Sequence, residues 1–255
     1  MKFPILLPNI FNHPFTYESD LDLKVGDYVV VPFGKSKITG VVWDEFEKKN
    51  NKNFKIKTVL KKKSVIPLKK TTIKFLNWFA EYNIIPKGMA LKLVLLSSNV
   101  IEKFQKEVFK TFNTNIRSST IQLSEEQKRS LKKMSISNDK FRVHVLQGTT
   151  GSGKTIVYFS ALKEIINKGL QGLILLPEIG LAGQFEKKFK EFFGFNPAIW
   201  HSGVSKKKRE VIWSGVANGQ IKVVIGARSS LFLPFKKLGL IIVDEEHDQS
   251  YKQDE

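Results

Sequence analysis

The chain has 255 residues, 42% of them hydrophobic, enough for one large or two smaller cored domains, which excludes a chain disordered throughout. It has no cysteine, which excludes a disulfide scaffold or cysteine-ligated zinc within these residues, and it lacks a membrane-spanning apolar run or a signal-peptide pattern, so a cytoplasmic location is expected. The net charge of +18, from 42 Lys+Arg against 24 Asp+Glu, points to a polyanionic partner, nucleic acid above all.

That excess is almost all lysine, because Arg117, Arg129, Arg142, Arg209 and Arg228 are the only arginines. Lysine is a point charge suited to phosphate, whereas bidentate reading of guanine favours arginine, so backbone binding with little base readout is expected.

From Phe3 to Lys61 the pattern is strand-like. Phe3, Ile5 and Leu7 alternate with other residues. Tyr28–Val31 and Ile38–Trp43 are β-branched runs joined through Pro32-Phe33-Gly34-Lys35-Ser36, and a short strand follows over Phe54–Leu60 after a polar loop at 47–53. A small β-barrel or half-open sheet fits this pattern. Next, Thr71 or Thr72 can cap a helix with Ile73, Leu76, Phe79 and Ala80 on one face, broken at Pro86-Lys87-Gly88 and followed by an apolar segment at 91–96. Trp78 and Tyr82, at helical spacing, are assigned to the core. The polar stretch 102–120 reads as a linker, so the first domain is placed at 1–101 and the second at 121–255.

The second domain alternates strands (142–147, 172–176, 197–200, 221–226, 239–244) with helices (155–168, 180–192, 205–218), which predicts a parallel sheet covered by helices with a ligand at the carboxyl ends of the strands. Its organising stretch is Gly148-Thr149-Thr150-Gly151-Ser152-Gly153-Lys154-Thr155, which fits G-x-x-x-x-G-K-[ST] between the expected strand and helix. The glycines let backbone N–H groups turn toward phosphate oxygens, Lys154 reaches the β/γ-phosphates, and Thr155 holds Mg2+. Downstream, the apolar run Leu240–Val243 ends in Asp244-Glu245-Glu246-His247. An acid there binds Mg2+ and its neighbour orients the attacking water, so Asp244 is assigned to the metal and Glu245 to the water of NTP hydrolysis.

Asp244–His247 resembles motif II of superfamily 2 helicases. Together with Leu175–Leu181, Trp200–Gly203, Gly226–Phe235 and Asp248–Gln253, it closely resembles the primosomal protein N prime family of bacterial replication-restart helicases. The resemblance implies a RecA-like motor lobe of α/β class after a small β-rich DNA-binding domain, and an ATP- and Mg2+-dependent 3′→5′ DNA helicase that recognises stalled forks and starts primosome assembly. It implies Gln127 as an adenine contact, Pro177 and Arg228 as single-stranded-DNA contacts, and His247 as the residue coupling hydrolysis to DNA. Val29–Gly34 with Gly40–Val42 resembles the family's 3′-end-binding domain, which places Phe15, Thr16, Gly34 and Lys57 at the pocket for the nascent strand's terminus. Where the family commonly has Phe-Asp-Tyr this chain has Phe15-Thr16-Tyr17, so the carboxylate is replaced by a hydroxyl.

By the same resemblance, partners are forked and single-stranded DNA, primosome proteins, the replicative helicase loader and single-stranded-DNA-binding protein, with a nucleoid association. The family's winged-helix domain is expected to be absent or reduced here. Its second motor lobe, arginine finger and zinc module are expected beyond Glu255, leaving these residues poorly active alone. Two other readings stay open: a non-catalytic DNA-end-binding and loading module, and a different superfamily 2 translocase.

Overall fold

The computed structural model describes residues 1–46, 56–95, 101, 122–134, 141–177 and 182–251. The polar loop and linker expected at 47–53 and 102–120 lie outside them. Contacts divide the chain into two compact units, Met1–Lys106 with Phe232–Pro234, and Glu107–Leu231 with Phe235–Glu255.

The first unit is built on strands β1 (Lys2–Leu6), β2 (Phe15–Glu18), β3 (Tyr28–Phe33), β4 (Ser36–Val42), β5 (Lys57–Thr58) and β6 (Lys61–Lys62). Their order is β5-β2-β1-β4-β3-β6. The two outermost strands in that order are consecutive pieces of one segment: Val59 N–H donates to Glu18 O at 2.8 Å on one side and Leu60 N–H to Val30 O at 2.9 Å on the other. One stretch therefore closes the sheet into a barrel, which removes the open edges a half-open sheet would expose. Alternation sends Ile5, Leu7, Tyr17, Val29, Val31, Val42 and Val59 into a shared core. Buried Asp27 is held by the Lys24 N–H at 2.7 Å and the Lys62 ammonium at 2.6 Å, which fixes the turn into β3.

Helix α1 (Lys70–Tyr82) buries Ile73, Leu76 and Ala80, and the buried Trp43 indole donates to Asn77 Oδ1 at 3.2 Å. Two expectations are corrected here. Neither Thr71 nor Thr72 caps the helix: the N-cap is Lys69, with no side-chain hydrogen bond, and both threonines lie inside the first turn. Trp78 and Tyr82 are not core residues. They are 55% and 73% exposed and stack on each other at 5.3 Å, because they lie on the side of the helix away from Ile73 and Ala80. Asn83 ends the helix, and α2 (Lys87–Leu95) follows Pro86.

The second unit contains α3 (Glu125–Lys133), α4 (Lys154–Asn167), β7 (Gln171–Leu175), α5 (Ala182–Phe193), β8 (Ala198–Trp200), α6 (Lys206–Asn218), β9 (Val223–Gly226) and β10 (Leu238–Val243). The four strands form a parallel sheet in the order β10-β7-β9-β8. The strand expected over 142–147 does not form. Residues 141–149 adopt no regular structure, and Phe141, Val143 and Val145 are 93%, 76% and 88% exposed. Alternation is a local signal and pairing is not: among the described residues β10 is an end strand whose Ile241 and Val243 stay exposed, and 141–149 does not add to that edge.

At the opposite end of the sheet, Gln171 is buried with all its side-chain polar atoms bonded. Its amide donates to Val216 O (3.1 Å) and Ile221 O (2.7 Å), and its carbonyl accepts from Lys237 N–H (2.8 Å). Gln171→Leu keeps the volume but strands Ile221 O and Lys237 N–H, each costing about 1–3 kcal/mol when left unpaired, while Val216 O keeps the Gly219 N–H. We expect a loss of about 2 kcal/mol or more in urea unfolding followed through Trp200 and Trp213. An unchanged midpoint would show that these backbone groups find other partners.

Candidate functional site

Because the sheet is parallel, the residues after its strands emerge at one end. Leu175 pairs with both Gly226 and Val243, and Gly226 with Trp200, so Pro177, His201, Arg228 and Asp244 all follow from the same rim. Asp244 N–H donates to Leu175 O at 3.1 Å, extending the ladder one residue past β10.

The phosphate loop enters this rim through α4. Gly151 and Gly153 take φ of +82° and +80°, a region costly for other L residues, and Gly153 is the N-cap from which Lys154 begins the helix. A Cβ at Gly153 would also run into the Gln127 amide. The Lys154 ammonium donates to the carbonyl oxygens of Gly148 at 2.8 Å and Thr149 at 3.2 Å, which holds the cation inside its own loop. Gln127 closes a capping box on α3, accepting from Ser124 N–H at 3.0 Å, and its amide donates to Ser152 O at 3.1 Å. The side chain thus ties α3 to the phosphate loop.

Asp244 is the most elaborately held acid of the site. Oδ2 accepts the Tyr158 hydroxyl at 2.9 Å, Oδ1 accepts Glu245 N–H at 3.2 Å, and its backbone oxygen accepts the Tyr251 hydroxyl at 2.9 Å. Glu245 sits at φ +49°, a left-handed conformation that a non-glycine residue holds only when its surroundings impose it. The bonds Asp248 N–H to Glu245 O and Tyr251 N–H to Asp248 O curl the following turn. Exposed His247 lies 3.6 Å from the Glu245 carboxylate. Arg228 donates to Tyr251 O at 3.2 Å, so the cation assigned to DNA is joined through Tyr251 to the backbone of Asp244. Burial, then the carboxylates of Asp244, Asp248 and Glu245, push the Tyr251 phenol well above its usual range. Pro177 stands just past the end of β7, and residues 178–181 lie outside the described residues.

Among the described residues no group of three His, Asp or Glu side chains converges to form a protein cage for a metal. The donors present, one threonine hydroxyl and one carboxylate, suit Mg2+ instead, which keeps waters and takes phosphate oxygens beside one or two protein ligands.

In the first unit, Phe15 belongs to a group of rings the sequence reading did not single out. It meets Phe11 at 5.2 Å, His13 at 4.9 Å and Phe33 at 5.3 Å. The loop bearing Phe11 and His13 is pinned by Asn9 Oδ1 to Phe11 N–H and by Asn12 Oδ1 to Lys87 N–H, both at 3.0 Å. Gly34, at φ +59° beside Phe33, has open space where a Cβ would stand. Lys57 is exposed and pairs with Tyr17, two residues along β2 from Phe15. Tyr17 itself is core, donating to Pro32 O at 3.1 Å. The pattern Phe11-x-His13-x-Phe15 ahead of Pro32-Phe33-Gly34 was the available sign of this ring group.

Residues 124–255, more than half of the chain, match the DEAD/DEAH box helicase family. The chain belongs to that helicase family. Residues 4–96 match the 3′ DNA-binding domain (3′BD) of PriA. The whole helicase-family chain is similar to the replication restart protein PriA of Rickettsia conorii, 42% identical over 254 residues that cover 98% of this chain and 38% of that protein. It is 36% identical over 156 residues to the Bacillus subtilis replication restart protein PriA (60% of this chain, 19% of that one). With that of Haemophilus influenzae it shares 47% identity over 113 residues (44% and 16%). The chain therefore spans 38% of the length of its rickettsial relatives. Among the described residues no helix is long and apolar enough to cross a membrane.

Proposed function

We propose that the chain is part of a replication-restart DNA helicase: a barrel that binds the 3′ end of a nascent strand, and a motor lobe that uses ATP and Mg2+ to drive 3′→5′ movement. The observation that carries this reading is the placement of the phosphate loop and Asp244-Glu245 at one rim of the parallel sheet, where Tyr158 of the helix that leaves the loop bonds to Asp244. In this reading the N–H groups of Gly151 to Thr155 and the Lys154 ammonium hold the β- and γ-phosphates. Thr155 and Asp244 take Mg2+, which neutralises phosphate charge when bound. Glu245, turned out by its left-handed backbone, orients the water. Arg228 and Pro177 meet the single-stranded backbone at the same rim, and Gln127 supplies an edge for adenine. Forks, primosome proteins, the helicase loader and single-stranded-DNA-binding protein are the proposed partners, in the cytoplasm.

At the barrel, the rings of Phe15, Phe11 and Phe33 offer faces to a terminal base, Lys57 a cation to its phosphate, and Thr16 a hydroxyl to the sugar. A forked DNA with a leading-strand 3′-hydroxyl is expected to bind more tightly than the same fork ending in a 3′-phosphate. Phe15→Ala is expected to cost about tenfold in affinity, since one base-to-aromatic stack is worth about 1–3 kcal/mol. Fluorescence anisotropy with labelled forks measures both. Equal binding of the two ends, together with an unaffected Phe15→Ala variant, would leave the barrel without a role at the terminus and favour a different translocase.

A further inference from the structure

Tyr158 was given no chemical role above, although it reaches from the helix after the phosphate loop to the carboxylate assigned to the metal. Its hydroxyl donates to Asp244 Oδ2 at 2.9 Å. Thr155 and Tyr158 are three residues apart on α4 and so share a face, while Asp244 arrives from the end of β10. We propose that Tyr158 is a positioning residue for the Mg2+ side of the nucleotide site, a bridge from α4 that sets the orientation of Asp244. The inference rests on the nucleotide reading and extends it to a residue outside the phosphate-loop motif.

The direction of the bond supports the role. The phenol's proton goes to Asp244 Oδ2, which fixes the carboxylate and leaves Oδ1, whose bond from Glu245 N–H is the longer at 3.2 Å, as its freer oxygen. An ordinary phenol keeps its proton at neutral pH.

Packing alone does not account for the hydroxyl. The Tyr158 ring is buried against Phe159 at 5.3 Å and Phe185 at 6.5 Å, where a phenylalanine would serve as well. A buried hydroxyl is tolerated when it is bonded, and the bond here runs to the proposed metal ligand Asp244.

Tyr158→Phe removes the one oxygen and keeps the ring. The test is calorimetric titration of the 255-residue chain with ADP, once with Mg2+ and once with EDTA. The gain in ADP affinity that Mg2+ brings is expected to fall about tenfold in Tyr158→Phe, the scale seen when a hydrogen-bond partner of a metal ligand is removed. Affinity in EDTA should stay at the wild-type value. In an Asp244→Asn background the tyrosine change should add no further loss. Equal weakening with and without Mg2+ would reduce Tyr158 to packing, and an unchanged Mg2+ gain would remove the bridge altogether; either result overturns the proposal. A wild-type chain that binds ADP in neither condition would instead overturn the nucleotide reading beneath it.

Discussion

Lys154→Ala is expected to weaken binding of Mg2+–ATP by roughly 30-fold to 4000-fold, the largest single-residue effect on ligand binding in this chain. Truncating one partner of a close charge pair costs about 2–5 kcal/mol, and each 1.4 kcal/mol is a factor of ten. The cation is well placed for such an effect. It already lies within the loop, on the carbonyl oxygens of Gly148 and Thr149, so only a short swing separates it from a phosphate entering the cradle. Those two bonds also mean that alanine frees Gly148 O and leaves Thr149 O with the Ser152 N–H alone, so the loop carbonyls lose the cation that offsets their negative ends. Lys154→Arg should recover little, because the planar guanidinium is a poor substitute for a compact ammonium among loop carbonyls. Equilibrium titration with a fluorescent ATP analogue reads both variants. Wild-type affinity in Lys154→Ala would mean that the loop is an ordinary turn and that nucleotide, if bound, sits elsewhere.

The phosphate loop was legible because its pattern encodes local backbone requirements: left-handed glycines at 151 and 153 and a helix starting at Lys154 need no distant partner. Three of the expected parallel strands match the sheet to within a residue at each end, and β9 begins two residues late, since apolar β-branched runs bounded by turns are also local. What failed depended on partners far along the chain. The alternation of Arg142–Leu146 promised a strand, but pairing depends on tertiary contacts, and among the described residues the edge at β10 takes no partner from it. Barrel closure could not be separated from a half-open sheet, because it turns on one short segment, 57–62, bonding to β2 and β3 at once. Trp78 and Tyr82 share the helical period, yet the buried face is set by Ile73, Leu76 and Ala80, about half a turn away. Tyr158 was missed for the converse reason. In an apolar helix it counts as core, and only the arrival of Asp244, 86 residues later, gives its hydroxyl a purpose.

Phe159→Ala is expected to be the most destabilising of the changes considered. The side chain is 2% exposed and sits one residue past Tyr158 at the centre of a phenylalanine cluster, with ring centroids of Phe185, Phe189, Phe192 and Phe193 between 5.3 and 5.6 Å away. Most of these contacts are edge-to-face, the arrangement in which aromatic pairs add to the burial of area itself. Four partners on one helix, α5, cannot all move in to fill the space, so a cavity remains and the cost falls at about 3–5 kcal/mol. Against a typical domain stability of about 5–15 kcal/mol, that is enough to populate the unfolded second unit at moderate temperature. The four tryptophans make the effect separable. Trp200 and Trp213 report on the second unit, and Trp43 and Trp78 on the first, so single-tryptophan variants followed in urea resolve each transition. The second unit's midpoint should drop sharply while the first unit's stays in place, and Phe159→Leu should recover much of the loss by refilling volume. A shift of the first unit's transition by the same amount would mean that the two units unfold together, and a loss under about 1 kcal/mol would mean that the cluster repacks.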